Sequence, residues 1–290
     1  ISRLELLARP SRTQLVLRVR CSKGTYIRTL AEDIGRFQAF RQEHAFIAES
    51  RHAGVAEIYA HGFAGPYPYL AMEFFSRGSL KDALQTAFSP RQTMAVLAQL
   101  AGALEQIHAH RIVHRDLKPA NVLVRDDGTM AIADFGVAAR LEAVGIDAKN
   151  QEVFGSPHYF APELIRGEPA SRLTDIYSLG IVFHEMLTGA KPFLGANLRE
   201  LAQMHVGAPV PRLSAELADY QSLLDGMLAK QSAQRFQGAQ ELLAGVDEIW
   251  TSLALRAAQT VLQRPIFSGG IHELATEHRH GRQSAYLAPL

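Results

Sequence analysis

Eight residues near the middle of the chain limit its possible folds more than any other segment: His114-Arg-Asp-Leu-Lys-Pro-Ala-Asn121. Eighteen residues after Asp116 comes Asp134-Phe-Gly136. Two more stretches follow in order, Gly155-Ser-Pro-His-Tyr-Phe-Ala-Pro-Glu163 and Asp175-Ile-Tyr-Ser-Leu-Gly180. A single such tripeptide would carry little weight. Four in one order, with strand and turn signals between them, leave coincidence little room. Between the first two, short strands are expected at residues 122–124 and 130–132, joined by Asp127-Gly128 as the hairpin turn.

The rest of the chain supplies a few strands and then many helices. Residues 14–20 alternate, with Leu15, Leu17 and Val19 on one side, which is the period of a half-buried strand. Residues 26–34 place Ile27, Leu30 and Ile34 on one helical face, and Gly35 stands where that helix would stop. A helix is expected over residues 37–50, then strands over 55–62 and 69–75 joined by the turn-rich Ala64-Gly-Pro-Tyr-Pro68. Further helices are expected over residues 90–110, with Pro90 in the first turn, and over 175–187, 220–228 and 239–251. This order of elements reads as α+β.

The four stretches resemble the signature of the Ser/Thr protein kinase domain, in wording similar to bacterial kinases of the eukaryotic-like type. The resemblance covers residues 36–255 and implies a protein-kinase-like fold, a mostly α C-lobe with an incomplete N-lobe. It implies ATP and magnesium (Mg2+) as cofactors and a Ser- or Thr-bearing protein as substrate. Phosphoryl transfer depends on positioning and charge neutralisation more than on covalent chemistry. By resemblance, Asp116 accepts the proton of the substrate hydroxyl, Lys118 neutralises the transferred group, and Asn121 and Asp134 hold the metal. A carboxylate and an amide oxygen suit magnesium. A lysine two positions after the catalytic aspartate is the Ser/Thr rather than the tyrosine kinase pattern. Gly136, after Phe135, is expected to permit a sharp backbone.

The same resemblance extends to supporting parts. Leu70-Ala-Met-Glu-Phe-Phe75 resembles the hinge, with Met72 as gatekeeper and the backbone of Glu73 and Phe75 facing adenine. Glu43 resembles the helix glutamate that pairs with the ATP-binding lysine, and Glu163 and Arg235 the ion pair that fastens the activation segment. Asp175 opens the fourth stretch, and His114 opens the first. In kinases with an arginine at the place of Arg115, it commonly pairs with a phosphorylated residue of the activation segment. Here residues 137–154 contain no Ser, Thr or Tyr, and Ser156 and Tyr159 lie in the motif that receives substrate. One of Glu142, Asp147 and Glu152 is therefore expected to pair with Arg115 constitutively.

The resemblance stops where the phosphates should be covered. No G-x-G-x-x-G and no V-A-I-K-like strand occurs upstream of Glu43. Lys23 precedes Glu43 by twenty residues, but it falls in a turn into a helix rather than mid-strand. Residues 16–35 instead resemble a segment of the bacterial tRNA pseudouridine synthase B family, with Lys23, Tyr26 and Arg28 matching its active-site side. Asp33 lies on the wrong motif to be that family's catalytic aspartate. The expected organisation is a synthase-like fragment over residues 1–35, a kinase domain lacking the glycine-rich loop and lysine over 36–255, and a tail of unknown role over 256–290.

Composition excludes little else. Of 290 residues, 47% are apolar and 20% charged, enough for a sizeable core. A net charge of +1 gives no global reason to expect nucleic acid, and tRNA enters only if the N-terminal fragment retains binding. No run approaches the ~20 apolar residues of a membrane span, and the single cysteine, Cys21, fits a reducing, cytoplasmic setting. The chain starts at Ile1 and reads as a fragment. In the tail, His272 and His278 have neither zinc-motif spacing, and a polar, partly disordered segment is expected. Two readings stand beside the impaired kinase: a kinase-fold binding or scaffold protein with little turnover, and an RNA-binding remnant.

Overall fold

The computed structural model describes residues 3–11, 14–20, 52–64, 67–85, 88–134, 145–147, 152–154 and 156–262. The chain divides into two compact units, Ile1–Val246 and Asp247–Leu290. The first contains four two-stranded antiparallel sheets among its described residues. In order they pair β1 (Arg3–Ser11) with β2 (Gln14–Arg20), β3 (Ile58–Ala64) with β4 (Tyr67–Met72), β5 (Val122–Val124) with β6 (Met130–Ile132), and β7 (Gly145–Asp147) with β8 (Glu152–Phe154).

The strands β3 and β4 run on into the expected link: Ala64 pairs with Tyr67 and Phe63 with Pro68, so Pro68 lies within a strand. Proline is tolerated there because an outer strand has N–H groups that no ladder needs. Val55 is not part of β3. It bridges in parallel to Ile132, with Ala56 N–H donating to the Ile132 carbonyl at 2.9 Å.

The β5–β6 turn also differs from the expected Asp-Gly pair. Gly128 N–H donates to the Arg125 carbonyl at 2.9 Å, so Asp126 and Asp127 occupy the turn's centre. Gly128 follows at φ 84°, the left-handed position that glycine takes without penalty. Asp127 Oδ1 locks the exit by accepting from Thr129 N–H and Oγ1.

Helices α1 (Leu80–Ala83), α2 (Pro90–Ala109), α3 (Pro162–Ile165), α4 (Arg172–Thr188), α5 (Leu198–Gly207), α6 (Gln221–Leu228) and α7 (Ala239–Leu262) make up the rest. A capping box starts α2: Ser89 Oγ accepts from Gln92 N–H, and Gln92 Oε1 accepts from Ser89 N–H. Its buried face runs Met94, Leu97, Leu100, Ala101, Leu104 and Ile107, close to the 3.6-residue period. Helix α4 is buried on nearly every side, as the axis around which the other helices pack must be. Gly180 shows how close they come, since a Cβ there would sit 2.8 Å from both Leu228 and Met227 of α6.

In α7, Ala239, Leu242 and Val246 are buried within the first unit. The described part of the second unit is helical from Asp247 to Leu262, beyond the expected end at residue 251. Its Ala, Leu, Arg and Gln residues favour helix, and no Gly or Pro interrupts them before Pro265. No helix among the described residues is long and apolar enough to cross a membrane. The expected helices over 26–34 and 37–50, and the tail histidines His272 and His278, lie outside the described residues.

Candidate active site

The candidate site grows out of the segment between α2 and β6. Its backbone is hung on Asp175, which is fully buried near the start of α4. The Asp175 carboxylate accepts from His114 N–H at 2.9 Å and from Arg115 N–H at 2.8 Å, and it lies 2.8 Å from His108 Nε2. Arg115 has φ 68°, a left-handed conformation that a non-glycine residue holds only when its surroundings impose it. Two further bonds tie the segment to the strand ahead of Asp134. His114 Nε2 is 3.0 Å from the Ala133 carbonyl, and Ala133 N–H donates to the Asn121 carbonyl at 2.8 Å.

On this frame Asp116, Lys118 and Asn121 come together. Lys118 Nζ donates to Asp116 Oδ2 at 2.5 Å. Asn121 Nδ2 donates to the Asp116 backbone carbonyl at 2.9 Å and lies 3.4 Å from Oδ2. Asp116 Oδ1 is buried and has no hydrogen-bond partner among the described residues. A buried carboxylate oxygen without a partner is an exception in folded proteins and marks Asp116 out from the other acids of the described residues.

Asn121 is oriented by its own donation. With Nδ2 committed to Asp116, the amide oxygen is left as the atom able to ligate a cation. Asp134 is exposed and has φ 60°, a left-handed conformation that a non-glycine residue holds only when its surroundings impose it. No group of three His, Cys, Asp or Glu side chains able to hold a metal occurs among the described residues. A two-oxygen set of amide and carboxylate fits a hard divalent cation that takes its remaining ligands from phosphate and water.

The hinge-like segment follows β4. Met72, Phe75 and Leu123 pack on the buried trio Ala56, Ala131 and Ala133, so the gatekeeper position and the residue before Asp134 share one apolar wall. Glu73 N–H donates to the Glu57 carbonyl at 2.8 Å, and the Phe75 carbonyl accepts from Gly78 N–H at 3.2 Å. The Glu73 carbonyl and Phe75 N–H make no hydrogen bond among the described residues, which leaves one acceptor and one donor on this strand exit.

Glu163 and Arg235 form a two-pronged pair at 2.7 and 2.8 Å, both buried. Ser156 is half-buried at the head of the turn Pro157–Tyr159, and Tyr159 donates from its hydroxyl to Glu185 Oε2 at 2.7 Å. Burial first, and then the Glu185 carboxylate, push the Tyr159 hydroxyl's pKa up. Glu43, Phe135, Gly136, Lys23 and Glu142 lie outside the described residues, and of Asp147 and Glu152 only the backbone is described, so the expected partnering of Arg115 with one of these acids falls outside the described side chains.

Residues 22–245 match the protein kinase domain family. The chain belongs to that family. Similar proteins include the serine/threonine-protein kinase PknB of Mycolicibacterium smegmatis, 34% identical over 250 residues, covering 81% of this chain and 40% of that protein. PknL of Mycobacterium tuberculosis is 32% identical over 222 residues, covering 74% of this chain and 55% of its own length. PknB of Mycobacterium leprae is 31% identical over 248 residues, with 81% and 40% covered. The chain thus spans about half or less of these relatives.

Sequence reasoning did not find His108, Leu123 or Arg125. His108 reads as one more polar position on a helix, and Leu123 as an ordinary strand residue. The only hint for Leu123 is its place between Asn121 and the turn.

Proposed function

We propose that this chain is a Ser/Thr protein kinase domain that transfers the γ-phosphoryl group of ATP to a protein hydroxyl, with impaired turnover in the 290-residue form. The observation that carries this reading is the Asp116 carboxylate. One oxygen is held by Lys118, and the other is buried with no partner among the described residues, an unused acceptor that a substrate hydroxyl would satisfy. Asp116 orients that hydroxyl and takes its proton. Lys118, half-buried beside it, faces charge developing on the transferred group. Asn121 and Asp134 are the residues that would hold magnesium, which when bound neutralises phosphate charge. Glu73 and Phe75 would meet adenine through the open carbonyl and N–H, against the wall of Met72 and Leu123.

Impairment follows from residues 1–42, which contain no glycine-rich loop and no strand lysine. The wording of residues 16–35 supports a synthase-like remnant, and it overlaps the kinase match over residues 22–35. Incubation with labelled ATP, magnesium and a Ser/Thr peptide mixture tests the reading. Slow transfer is expected, well below the ~1–100 s⁻¹ of ordinary kinases. Asp116→Asn should lower it further. Ordinary rates would refute the impairment, and transfer indifferent to Asp116→Asn would refute the assignment.

A second expectation concerns regulation. With no hydroxyl over residues 137–154, and with the Tyr159 hydroxyl committed to Glu185, phosphorylation of this segment is not the switch. Mass spectrometry after incubation with ATP, with activity measured before and after phosphatase treatment, should find no phosphate on which activity depends. A phosphate on Ser156 or Tyr159 whose removal abolishes activity would reverse this.

A further inference from the structure

Arg125 lies just past β5, where a hairpin arginine would ordinarily extend into water. Instead its guanidinium gathers acceptors from two distant segments. Nε donates to Glu73 Oε1 at 2.5 Å and Nη2 to Glu73 Oε2 at 2.9 Å, a two-pronged pairing across 52 residues of sequence. Nη1 donates to the Ala53 carbonyl, and Nη2 reaches the Val55 carbonyl at 3.3 Å. The guanidinium carbon also stands 5.7 Å from the centre of the Phe75 ring. The Arg125 and Glu73 side chains are 21% and 20% exposed, so the pair is partly withdrawn from screening by salt.

The segment held this way is the one with the open carbonyl of Glu73 and the open N–H of Phe75. Those two groups lie on either side of Phe74, whose side chain is 88% exposed and anchors nothing. The segment's position is therefore set by its bonds at the two ends, and Arg125 grips Glu73 and stacks near Phe75. Adenine offers an amino donor beside a ring-nitrogen acceptor. Guanine offers the reverse, a carbonyl beside an N–H. An acceptor followed by a donor on the protein fits the first and opposes the second, provided both groups stay in place.

We propose that Arg125 is a positioning residue for base recognition: through its fork on Glu73 it holds the carbonyl of residue 73 and the N–H of residue 75 where adenine is accepted and guanine is not. This rests on the kinase reading of the site. Arg125 touches neither base nor phosphate; it acts through the backbone it holds. A lysine cannot replace it, because one ammonium cannot span both carboxylate oxygens and two carbonyls at once.

The test uses adenosine and guanosine, which carry no phosphate and so do not depend on a glycine-rich loop. Each is titrated into the 290-residue chain and its Arg125→Ala, Arg125→Lys and Glu73→Gln variants by ligand-observed NMR. Hydrogen exchange of the Glu73 and Gly78 amides, whose bonds to the Glu57 and Phe75 carbonyls fix the two ends of the segment, is followed alongside. In Arg125→Ala, adenosine should bind about ten-fold more weakly while guanosine changes little, because a small displacement of a reading group removes its selectivity. Arg125→Lys should recover only part of this, and exchange of the Glu73 and Gly78 amides should quicken in both variants. A merely structural arginine would weaken both nucleosides alike, and that result overturns the proposal. So does unchanged adenosine binding with unchanged exchange. If the unaltered chain binds neither nucleoside, the kinase reading of the hinge fails, and the exchange rates alone decide whether Arg125 holds the segment. If Arg125→Ala does not fold, Arg125→Lys and Glu73→Gln carry the same measurements.

Discussion

Grafting a glycine-rich loop and a lysine-bearing strand ahead of Arg36 should raise phosphoryl transfer by about 10²–10³-fold, the usual worth of one preorganised charge-stabilising element. The grafted parts supply what residues 1–35 do not, namely backbone N–H groups over the phosphates and a fixed cation. Among the described residues, several of the proposed parts already lie together. Asp175 holds the backbone of His114 and Arg115, and Asn121 and Lys118 converge on Asp116. The gained activity should vanish on Asp116→Asn, which replaces the open Oδ1 acceptor and its proton affinity with an amide. A loss of ~10²–10⁴-fold is the range for a positioned general base. Asp134→Asn should act similarly through the metal. Steady-state transfer to a Ser/Thr peptide reads all three chains, with nucleotide binding measured in parallel. A graft that folds and binds ATP yet stays inactive would remove Asp116, Asn121 and Asp134 from their proposed roles.

What sequence made visible, and what it hid, divides along physical lines. Asp116, Lys118 and Asn121 were legible because their chemistry requires given residue types at short spacings, and a local loop delivers them. Asp175 was named from its own motif, but the long-range contacts that it and Arg125 make were not legible. Asp175 meets His108 across 67 residues, and Arg125 meets Ala53 across 72, distances at which no local pattern survives. Short helices were hidden for a different reason. The four residues of α1 and of α3 make about one turn each, too few to show a period, and α5 buries only Leu201 and His205. Backbone strain at Asp134 was not foreseen either: the aspartate itself takes φ 60°, and no local residue pattern marks a non-glycine for that conformation. The turn after β5 shows the same limit: Asp127-Gly128 signals a hairpin, but only the Gly128-to-Arg125 bond shows that the glycine follows the turn's centre.

Arg235→Ala should cost ~3–5 kcal/mol of stability at neutral pH, read from urea unfolding, the usual loss when one partner of a buried pair is removed. Every nitrogen of that guanidinium is committed. Nε donates to the Ala229 carbonyl at 2.8 Å, Nη1 to Glu163 Oε1 at 2.8 Å and to the Leu173 carbonyl at 2.9 Å, and Nη2 to Glu163 Oε2 at 2.7 Å. Removing it leaves a buried carboxylate with one remaining side-chain partner, Thr174 Oγ1 at 2.9 Å. Arg235→Lys should recover little, since a point charge cannot reproduce the fork. The pH dependence separates this loss from simple cavity formation. In the intact chain burial works to raise the Glu163 pKa, but the hydrogen bonds and charge of Arg235 outweigh it and hold the carboxyl below its usual range. A depressed folded pKa means the pair's contribution is present above the unfolded value, ~4.3, and lost as pH falls through the folded one. Without Arg235, burial is opposed only by the smaller effects of the Glu163 backbone N–H and the Thr174 hydroxyl, so the carboxyl should move up and favour protonation. The variant's deficit should therefore narrow as pH falls from 7 towards 4, because its buried acid can then take up a proton, whereas the intact chain keeps its pair until the pH falls below the unfolded value. A deficit under ~1 kcal/mol, the range of exposed pairs, would show that the pair is not buried in effect. One that stays constant over this range would assign the loss to packing rather than charge.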